Sequence, residues 1–219
     1  WLSHGISGTK MPGFSTKLSE EDRWDLINYL HALSRGFDAR LLGSMIVPEN
    51  PAIASPVFNY SANDGSAGNL KDFRLQKNVL LVLFSWPQSQ QRLHQLTAAY
   101  DEIRALNTEI LAVPNRELSE QELQQISAFV PFPVVTEGCT EIKNSYWLYR
   151  RVRTVPDLRG KGMLPGHMEF MTDRFGYLRA RWVAQFEGFS WQSIDALTLQ
   201  LTQLNQEDEI MPPPGDHAH

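Results

Sequence analysis

The longest uninterrupted apolar run of the chain, Val79–Phe84, predicts a strand that is buried on both faces. Such a strand lies at the centre of a sheet with helices on either side. The pair Trp86-Pro87 ends the run, and a helix is predicted to begin almost at once because Leu93 and Leu96 keep helical spacing. A sharp turn from a buried strand into a helix directs free backbone N–H groups at whatever lies above it. This turn is therefore the first candidate for a functional site.

From Leu70 onward, strand patterns alternate with helix patterns, which is typical of an α/β layer fold. The sequence Ser119-Glu120-Gln121-Glu122 is a capping box that marks one helix start, and Asp173–Gly176 is a hairpin signal between two strands. The predicted strands span residues 73–75, 79–84, 109–113, 132–135, 167–172 and 177–185. The predicted helices span residues 89–106, 119–129, 141–149 and 190–205.

Three further segments flank this domain, which we assign to residues 70–206. Residues 1–35 form a unit of their own, in which a glycine-rich loop leads into a helix that Ser19 and Asp22 are expected to cap. Residues 36–69 carry prolines and turn signals and predict a linker, part of which is expected to lie along the next domain as an extended edge. Residues 207–219 form a Pro- and His-containing tail that is predicted to be disordered.

The net charge and the cysteine content of the chain exclude several classes of function. The formal net charge of −5 gives no electrostatic reason to expect nucleic-acid binding, and the basic run Arg150–Arg153 is interpreted as a solvated loop. Cys139 is the single cysteine, which excludes an intramolecular disulfide and a Cys-x-x-Cys redox pair within the chain. No apolar run reaches transmembrane length, and no signal peptide is visible.

The stretch Gly8–Phe14, followed by Leu18–Leu30, resembles the C-terminal third of a class I c-type cytochrome. The resemblance implies that Met11 is the distal axial ligand of haem c, a soft thioether that raises the haem potential. The Cys-x-x-Cys-His motif that attaches haem is absent, and we expect it upstream of Trp1 in a parent protein. The alternative is that Met11 is an ordinary loop methionine and that the helix aromatics are ordinary core residues.

The order of elements over Leu70–Asn205 resembles the thioredoxin-like fold, a central mixed sheet flanked by helices. Within it, residues 167–182 resemble the strand pair of the SCO-type copper chaperones and the related peroxiredoxin-like proteins. The SCO family binds copper through a histidine at the head of this strand and two cysteines of a CxxxC motif. His167 matches the histidine, whereas the region Pro87–Gln91 replaces the cysteines. The degenerate thioredoxin-site positions are Trp86, Pro87, Gln88 and Ser89.

Thiol–disulfide exchange and peroxide reduction need a thiolate at the start of the helix after the central strand. Ser89 is the candidate for that position, but an unassisted serine hydroxyl is a poor nucleophile and the local sequence supplies no base. Cys139 precedes a short helix, so it is either a reactive helix-start thiol or, as is common for lone cysteines, a buried and inert one.

The remaining candidates are histidines. His167 is either a copper ligand, since imidazole suits Cu(II), or a strand-end residue bonded to backbone; its neighbour Glu169 is expected to pair across strands with Arg179 or Arg181. His217 and His219, in the tail, are weak candidates for Cu(II) or Zn(II). His31 and His94 are expected on the surface, and the role of His4 is open.

Three functions follow from these observations. The first is part of a periplasmic or periplasm-facing haem-c electron-transfer protein with a redox-inactive, SCO-like module linked to copper handling. Its expected partner is a redox protein or an upstream membrane domain of the same protein, because the combination resembles the periplasmic extensions of CopD-type copper-resistance proteins. The second is a non-catalytic interaction module using Trp86-Pro87, Trp147 and Tyr149. The third is a peroxiredoxin-like enzyme using Cys139. The position of Trp86 or Tyr146 in the site would favour the second.

Overall fold

The computed structural model describes residues 3–5, 7–10, 12–19, 22–23, 42–49, 53–147, 149, 166–184 and 192–208. It divides into two units, Trp1–Asp38 and Ala39–His219. In the first unit, the Asp22 N–H donates to Ser19 Oγ (3.0 Å) and the Ser19 N–H donates to the Asp22 carboxylate (3.1 Å). The predicted cap is thus confirmed. Met11 lies outside the described residues.

The second unit contains eight strands among its described residues. They are β1 (Ile53–Ala54), β2 (Asn59–Ala62), β3 (Ala67–Asn69), β4 (Asn78–Phe84), β5 (Thr108–Pro114), β6 (Val135–Glu137), β7 (His167–Thr172) and β8 (Tyr177–Val183). The helices described in this unit are α1 (Gln90–Ala98), α2 (Tyr100–Ala105), α3 (Glu120–Ser127), α4 (Cys139–Trp147) and α5 (Ile194–Gln206), with a 3₁₀ turn at Leu70–Phe73. None of the helices in the described ranges has the length and apolar character needed to cross a bilayer.

The main sheet has five strands in the order β1-β8-β7-β4-β5. Strand β4 runs parallel to β5 and antiparallel to β7, so the sheet is mixed. A second sheet, in the order β3-β2-β6, is antiparallel throughout. This arrangement confirms the predicted central mixed sheet flanked by helices.

Strand β4 carries the core on both of its faces, as predicted. All seven of its residues are buried. Leu80, Val82 and Phe84 pack in one apolar cluster with residues of α1, α2 and α5. Leu81 and Leu83 pack in a second cluster with residues of α4 on the opposite face. Because both faces are covered, β4 fixes the positions of its neighbours, and its C-terminal end becomes a rigid platform.

Several predicted boundaries are wrong. The predicted strand at residues 73–75 is absent, because Asn69 and Asp72 form a capping box that winds the chain into a 3₁₀ turn. The predicted helix over residues 89–106 is two helices that meet at Ala99. The strand predicted at residues 132–135 begins only at Val135, since Val134 makes no more than an isolated bridge.

The segment predicted as a linker takes part in both sheets. Ile53 pairs with Leu178 at the edge of the main sheet, which confirms that part of the segment lies along the domain as an extended edge. The hairpin of β2 and β3 adds the second sheet. The Arg181 N–H also donates to the carbonyl of Gly43 (2.9 Å), which extends the covered edge of β8.

Arg179 links the hairpin to the end of α5. Its guanidinium donates to Asp173 (3.0 Å) and to Glu207 (2.7 Å), and all three side chains are almost completely buried. A third bond reaches the carbonyl of Val47 at 3.0 Å. Buried ion pairs of this kind become costly when one partner is lost, because an uncompensated charge is left in the core.

We expect Arg179→Met to lower the free energy of unfolding by about 3–5 kcal/mol, since Asp173 and Glu207 would lose their shared cation. Urea unfolding followed by circular dichroism measures the loss. The matched control is Arg116→Met, which removes an exposed arginine that bonds Glu122 at 2.6 Å, and a much smaller effect is expected there. Equal losses of unfolding free energy in the two variants would contradict the role of Arg179 in holding the hairpin to the end of α5.

Candidate functional site

The candidate site forms where the end of β4 meets the beginning of β7. The two strands are antiparallel, so Phe84 at the end of β4 is paired with His167 at the start of β7. The turn after β4 then leads into α1, and Ser89 is the residue that precedes this helix. The sequence separation is large, but the strand pairing brings Ser89 and His167 to one edge of the sheet.

Ser89, His167 and Glu169 form a continuous hydrogen-bonded chain. Ser89 Oγ lies 3.1 Å from His167 Nδ1, and His167 Nε2 lies 2.8 Å from Glu169 Oε1. The three residues are 3%, 7% and 0% exposed, respectively, so the chain is largely closed off from bulk water. The structure thus supplies the base for Ser89 that the local sequence does not show.

Arg92 of α1 neutralises the buried carboxylate of Glu169. Its Nε donates to Oε1 at 2.7 Å and its Nη2 donates to Oε2 at 3.0 Å, a two-pronged contact. The same guanidinium donates to the carbonyl of Gln192 (2.9 Å). It also lies 4.9 Å from the ring centre of Trp182, which is in edge-on contact with the imidazole of His167 at 5.8 Å.

These contacts assign the protons. Burial by itself would raise the pKa of Glu169, but the charge of Arg92 and the hydrogen bond from His167 lower that pKa to about 2. Glu169 is therefore an ionised acceptor at neutral pH, and His167 Nε2 must carry a hydrogen to donate to it. In the neutral imidazole, Nδ1 is then the acceptor. With Nδ1 as the acceptor, the Ser89 hydroxyl can donate its one hydrogen either to that nitrogen at 3.1 Å or to the carbonyl of Gly166 at 3.2 Å.

The carbonyl of Gly166, just before β7, receives several bonds at the same place. The Ser85 N–H donates to it at 2.8 Å, and Ser89 Oγ lies 3.2 Å from it. The Asn115 side-chain amide also reaches this carbonyl at 3.5 Å and donates to Ser85 Oγ at 3.1 Å. The Ser85 N–H also reaches Ser89 Oγ at 3.2 Å. Gly166 thus offers the Ser89 hydroxyl a second acceptor beside the imidazole.

The other degenerate thioredoxin-site positions do not take part in the hydrogen bonds that join Ser89, His167 and Glu169. Pro87 and Gln88 are exposed. Trp86 is half-buried and stacks on Phe129 at 5.7 Å, and Phe129 in turn stacks on His94 at 4.5 Å. His94 is exposed, as predicted. Trp86 of the turn, Phe129 after α3 and His94 of α1 therefore form a stacked aromatic surface beside the closed site, and Trp86 and Phe129 are partly packed against the core.

Two aromatic residues that the sequence offers as candidates for the site or for partner contact belong to the core. Tyr146 is 0% exposed and packs in the cluster on the opposite face of the sheet, where its hydroxyl bonds Ser55 at 2.7 Å. Tyr149 is 3% exposed. The prediction of Tyr149 as a contact residue is therefore wrong, and Trp147 is partly buried against the same cluster.

Cys139 is the first residue of α4, so the prediction of a helix-start thiol is confirmed in position. Its reactivity is low on physical grounds. Burial raises the pKa of the thiol, and Sγ donates to the carbonyl of Val135 at 3.4 Å. The thiol borders a cavity of about 230 Å³ that Pro114 and Leu118 also line. Neither Ser89 nor His167 lines that cavity.

Of the metal candidates, His167 lies within the described residues. Both ring nitrogens of His167 are engaged by Ser89 and Glu169, and the guanidinium of Arg92 already holds Glu169. Within the ranges that the structure describes, no three His, Cys, Asp or Glu side chains are grouped closely enough to hold a metal ion. His31, His217 and His219 lie outside the described residues, and His4 is exposed.

Sequence reasoning missed Arg92 and misassigned Glu169. The predicted pairing of Glu169 with Arg179 or Arg181 is wrong, because Arg179 binds Asp173 and Glu207, and Arg181 donates to the carbonyl of Tyr149. One signal was available. A single acid in an apolar strand requires a buried cation, and Arg92 interrupts the buried side of α1.

Comparison with known proteins assigns the architecture. No protein-family model matches the chain, and no curated protein matches it. A putative protein disulfide isomerase from Bacteroides thetaiotaomicron is similar in structure, with a TM-score of 0.51, 16% identity and coverage of 76% of this chain and 94% of that chain. BsSco, a member of the Sco family of cytochrome c oxidase assembly proteins, is also similar in structure, with a TM-score of 0.51, 12% identity and coverage of 74% of this chain and 97% of that chain.

The mitochondrial 2-Cys peroxiredoxin from Plasmodium falciparum is similar to the same degree, with a TM-score of 0.51, 15% identity and coverage of 73% of this chain and 98% of that chain. At these identities the similarity establishes the fold. The chain has a thioredoxin-like fold, as the order of its elements predicts, and Ser89 immediately precedes the helix that follows its central strand.

Glu169 makes stability depend on pH in a defined window. Its folded pKa of about 2 lies below the ordinary 4.5, so its contribution is fully present above pH 4.5 and is lost as the pH falls toward 2. We expect Glu169→Gln to cost about 3 kcal/mol at neutral pH and progressively less in that acidic window. Urea unfolding at a series of pH values tests this, with the exposed Glu120→Gln as control. A cost that does not change with pH would contradict it.

Proposed function

We propose that the thioredoxin-like unit is a redox-inactive docking module of a periplasmic electron-transfer protein that carries haem c. The observation that supports this best is the identity and state of Ser89. A buried serine, held by His167, stands where thiol chemistry needs an exposed and ionised sulfur. The single cysteine is buried beside a separate cavity.

The haem-c part of the proposal rests on the resemblance of residues 1–35 to a cytochrome segment. The described part of that segment is compatible with it, because Ser19 and Asp22 cap the beginning of a helix at residues 22–23. In a parent protein, haem c would supply one-electron transfer and Met11 would be its axial ligand. A periplasmic location and a CopD-type context belong to the same proposal.

The docking role is supported by the aromatic surface of Trp86, Phe129 and His94. Aromatic side chains are enriched at protein interfaces because they combine a large apolar area with few rotatable bonds. Pro87 and Gln88 extend this surface from the same turn. In the proposal, the surface contacts a redox partner or an upstream membrane domain of the parent protein.

Copper handling through His167 is the alternative to the docking role, and the contacts around the imidazole weigh against it. A copper ion would have to displace Ser89 or Glu169 from a ring nitrogen. It would also stand beside the guanidinium of Arg92, which repels a cation and is fixed by its two bonds to Glu169. We therefore favour docking over copper storage at this site.

The redox proposal predicts slow consumption of hydrogen peroxide by the reduced chain, because the pKa of Cys139 is raised and little thiolate is present. The matched variant is Ser89→Cys in a Cys139→Ser background, which puts a thiol beside His167. We expect that thiol to react with iodoacetamide at least about tenfold faster than Cys139 near neutral pH. Rapid peroxide reduction by the wild type that disappears in Cys139→Ser would instead identify a peroxidase.

The copper alternative is tested by titration with Cu(II) against a competing chelator. We expect the intact chain and His167→Ala to retain the same affinity, because the imidazole is not available as a ligand. A version that ends at Ile210 separates any binding by His217 and His219 from binding by the folded unit. Loss of one tight equivalent in His167→Ala alone would reverse our preference and support copper handling.

A further inference from the structure

We propose that Ser89 is a base-assisted nucleophile whose substrate is a small activated acyl ester. His167 is the base in direct contact with the serine, and Glu169 is the residue that positions the base. This inference goes beyond the docking role and does not depend on it, because it uses oxygen rather than thiol chemistry. It rests on the two consecutive contacts of 3.1 Å and 2.8 Å that join the three side chains.

The direction of the hydrogen bonds is what a nucleophilic serine requires. Ionised Glu169 accepts the Nε2 hydrogen of His167, so the Nδ1 lone pair faces the Ser89 hydroxyl. Arg92 holds both carboxylate oxygens and thereby fixes the plane of the acceptor. Trp182 covers the imidazole from the side. The base therefore has a defined tautomer and little freedom to rotate.

The proposed step is balanced within the site. Ser89 Oγ forms a bond to the ester carbonyl carbon while its proton passes to His167 Nδ1. The tetrahedral intermediate collapses, the bond to the leaving alcohol breaks, and the alcohol takes the proton from Nδ1. Water then attacks the acyl-serine by the same route, slowly because Ser89 is 3% exposed, so that the acyl-serine accumulates before the carboxylic acid is released and the proton returns to Ser89. No oxidant, reductant or metal is needed.

Burial sets the class of substrate. Ser89 is 3% exposed, so a large acyl group or a peptide cannot reach its Oγ, whereas an acetyl group requires little space. Ser89 also precedes α1 without capping it through its side chain. The positive end of that nine-residue helix lies next to Ser89 and would favour negative charge that develops near the serine, which supports the step without being its cause.

The test uses p-nitrophenyl acetate with the intact chain and intact-mass spectrometry. We expect one acetyl group per chain, and peptide mapping is expected to locate it on Ser89. Ser89→Ala should abolish this label, and His167→Gln should slow its formation by about 100-fold or more. The control Ser193→Ala changes an exposed serine that makes no side-chain cap bond and should leave the rate unchanged.

The role of Glu169 is tested by a measurement that separates a loss of imidazole positioning from a loss of folding. Nitrogen NMR of His167 reports the tautomer, and we expect the Nε2–H form in the wild type and a mixture of tautomers in a folded Glu169→Gln. Acetylation that maps to lysine or to other serines of the wild type, or that persists in Ser89→Ala, would overturn the proposal. So would labelling of Ser89 at an unchanged rate in His167→Gln. These results would leave the thiol measurements on Cys139 unaffected.

Discussion

The candidate site depends on one buried ion pair, Arg92 with Glu169. A carboxylate with no solvent exposure is strongly unfavourable in a protein core unless a cation and hydrogen bonds compensate it. Arg92 provides both, since it contacts both oxygens of Glu169. The pair ties α1 to β7 across the face of β4. It also keeps Glu169 ionised, so that His167 Nε2 carries the hydrogen of their shared bond, and a neutral imidazole then turns its Nδ1 lone pair toward Ser89.

The fold explains why these residues meet. In a mixed sheet whose central strand is covered on both faces, the end of β4 is the place where a helix begins and an antiparallel neighbour starts. Phe84 and His167 are paired there, and Ser89 follows after a short turn. The same geometry would support a thiolate in a thiol enzyme. With serine at this position the geometry remains, but the sulfur chemistry does not.

Much of the scaffold could be predicted from the sequence because it rests on local signals. The apolar run of β4 and the capping box at Ser119 depend on near neighbours, and the structure has both. The site could not be predicted to the same extent. The pairing of Glu169 with Arg92 joins residues far apart in the chain, whereas Arg179 is much closer in sequence, and the position of Arg92 on the buried side of α1 is the signal that favours it. The 3₁₀ turn after Asn69 has a local signal, the capping box of Asn69 and Asp72. The sequence predicts a strand there instead, because residues 73–75 also fit a short strand.

Stability alone does not account for the polar chain from Arg92 to Ser89. Apolar residues of similar volume fill a core about as well as a buried ion pair, and often better. A hydroxyl and an imidazole held in contact add directional bonds at little net gain in free energy. What these groups provide that an apolar core does not is a fixed proton on one ring nitrogen and a lone pair on the other. A site that served only to fill this position would not need the carboxylate, whereas a serine that reacts would need all three side chains.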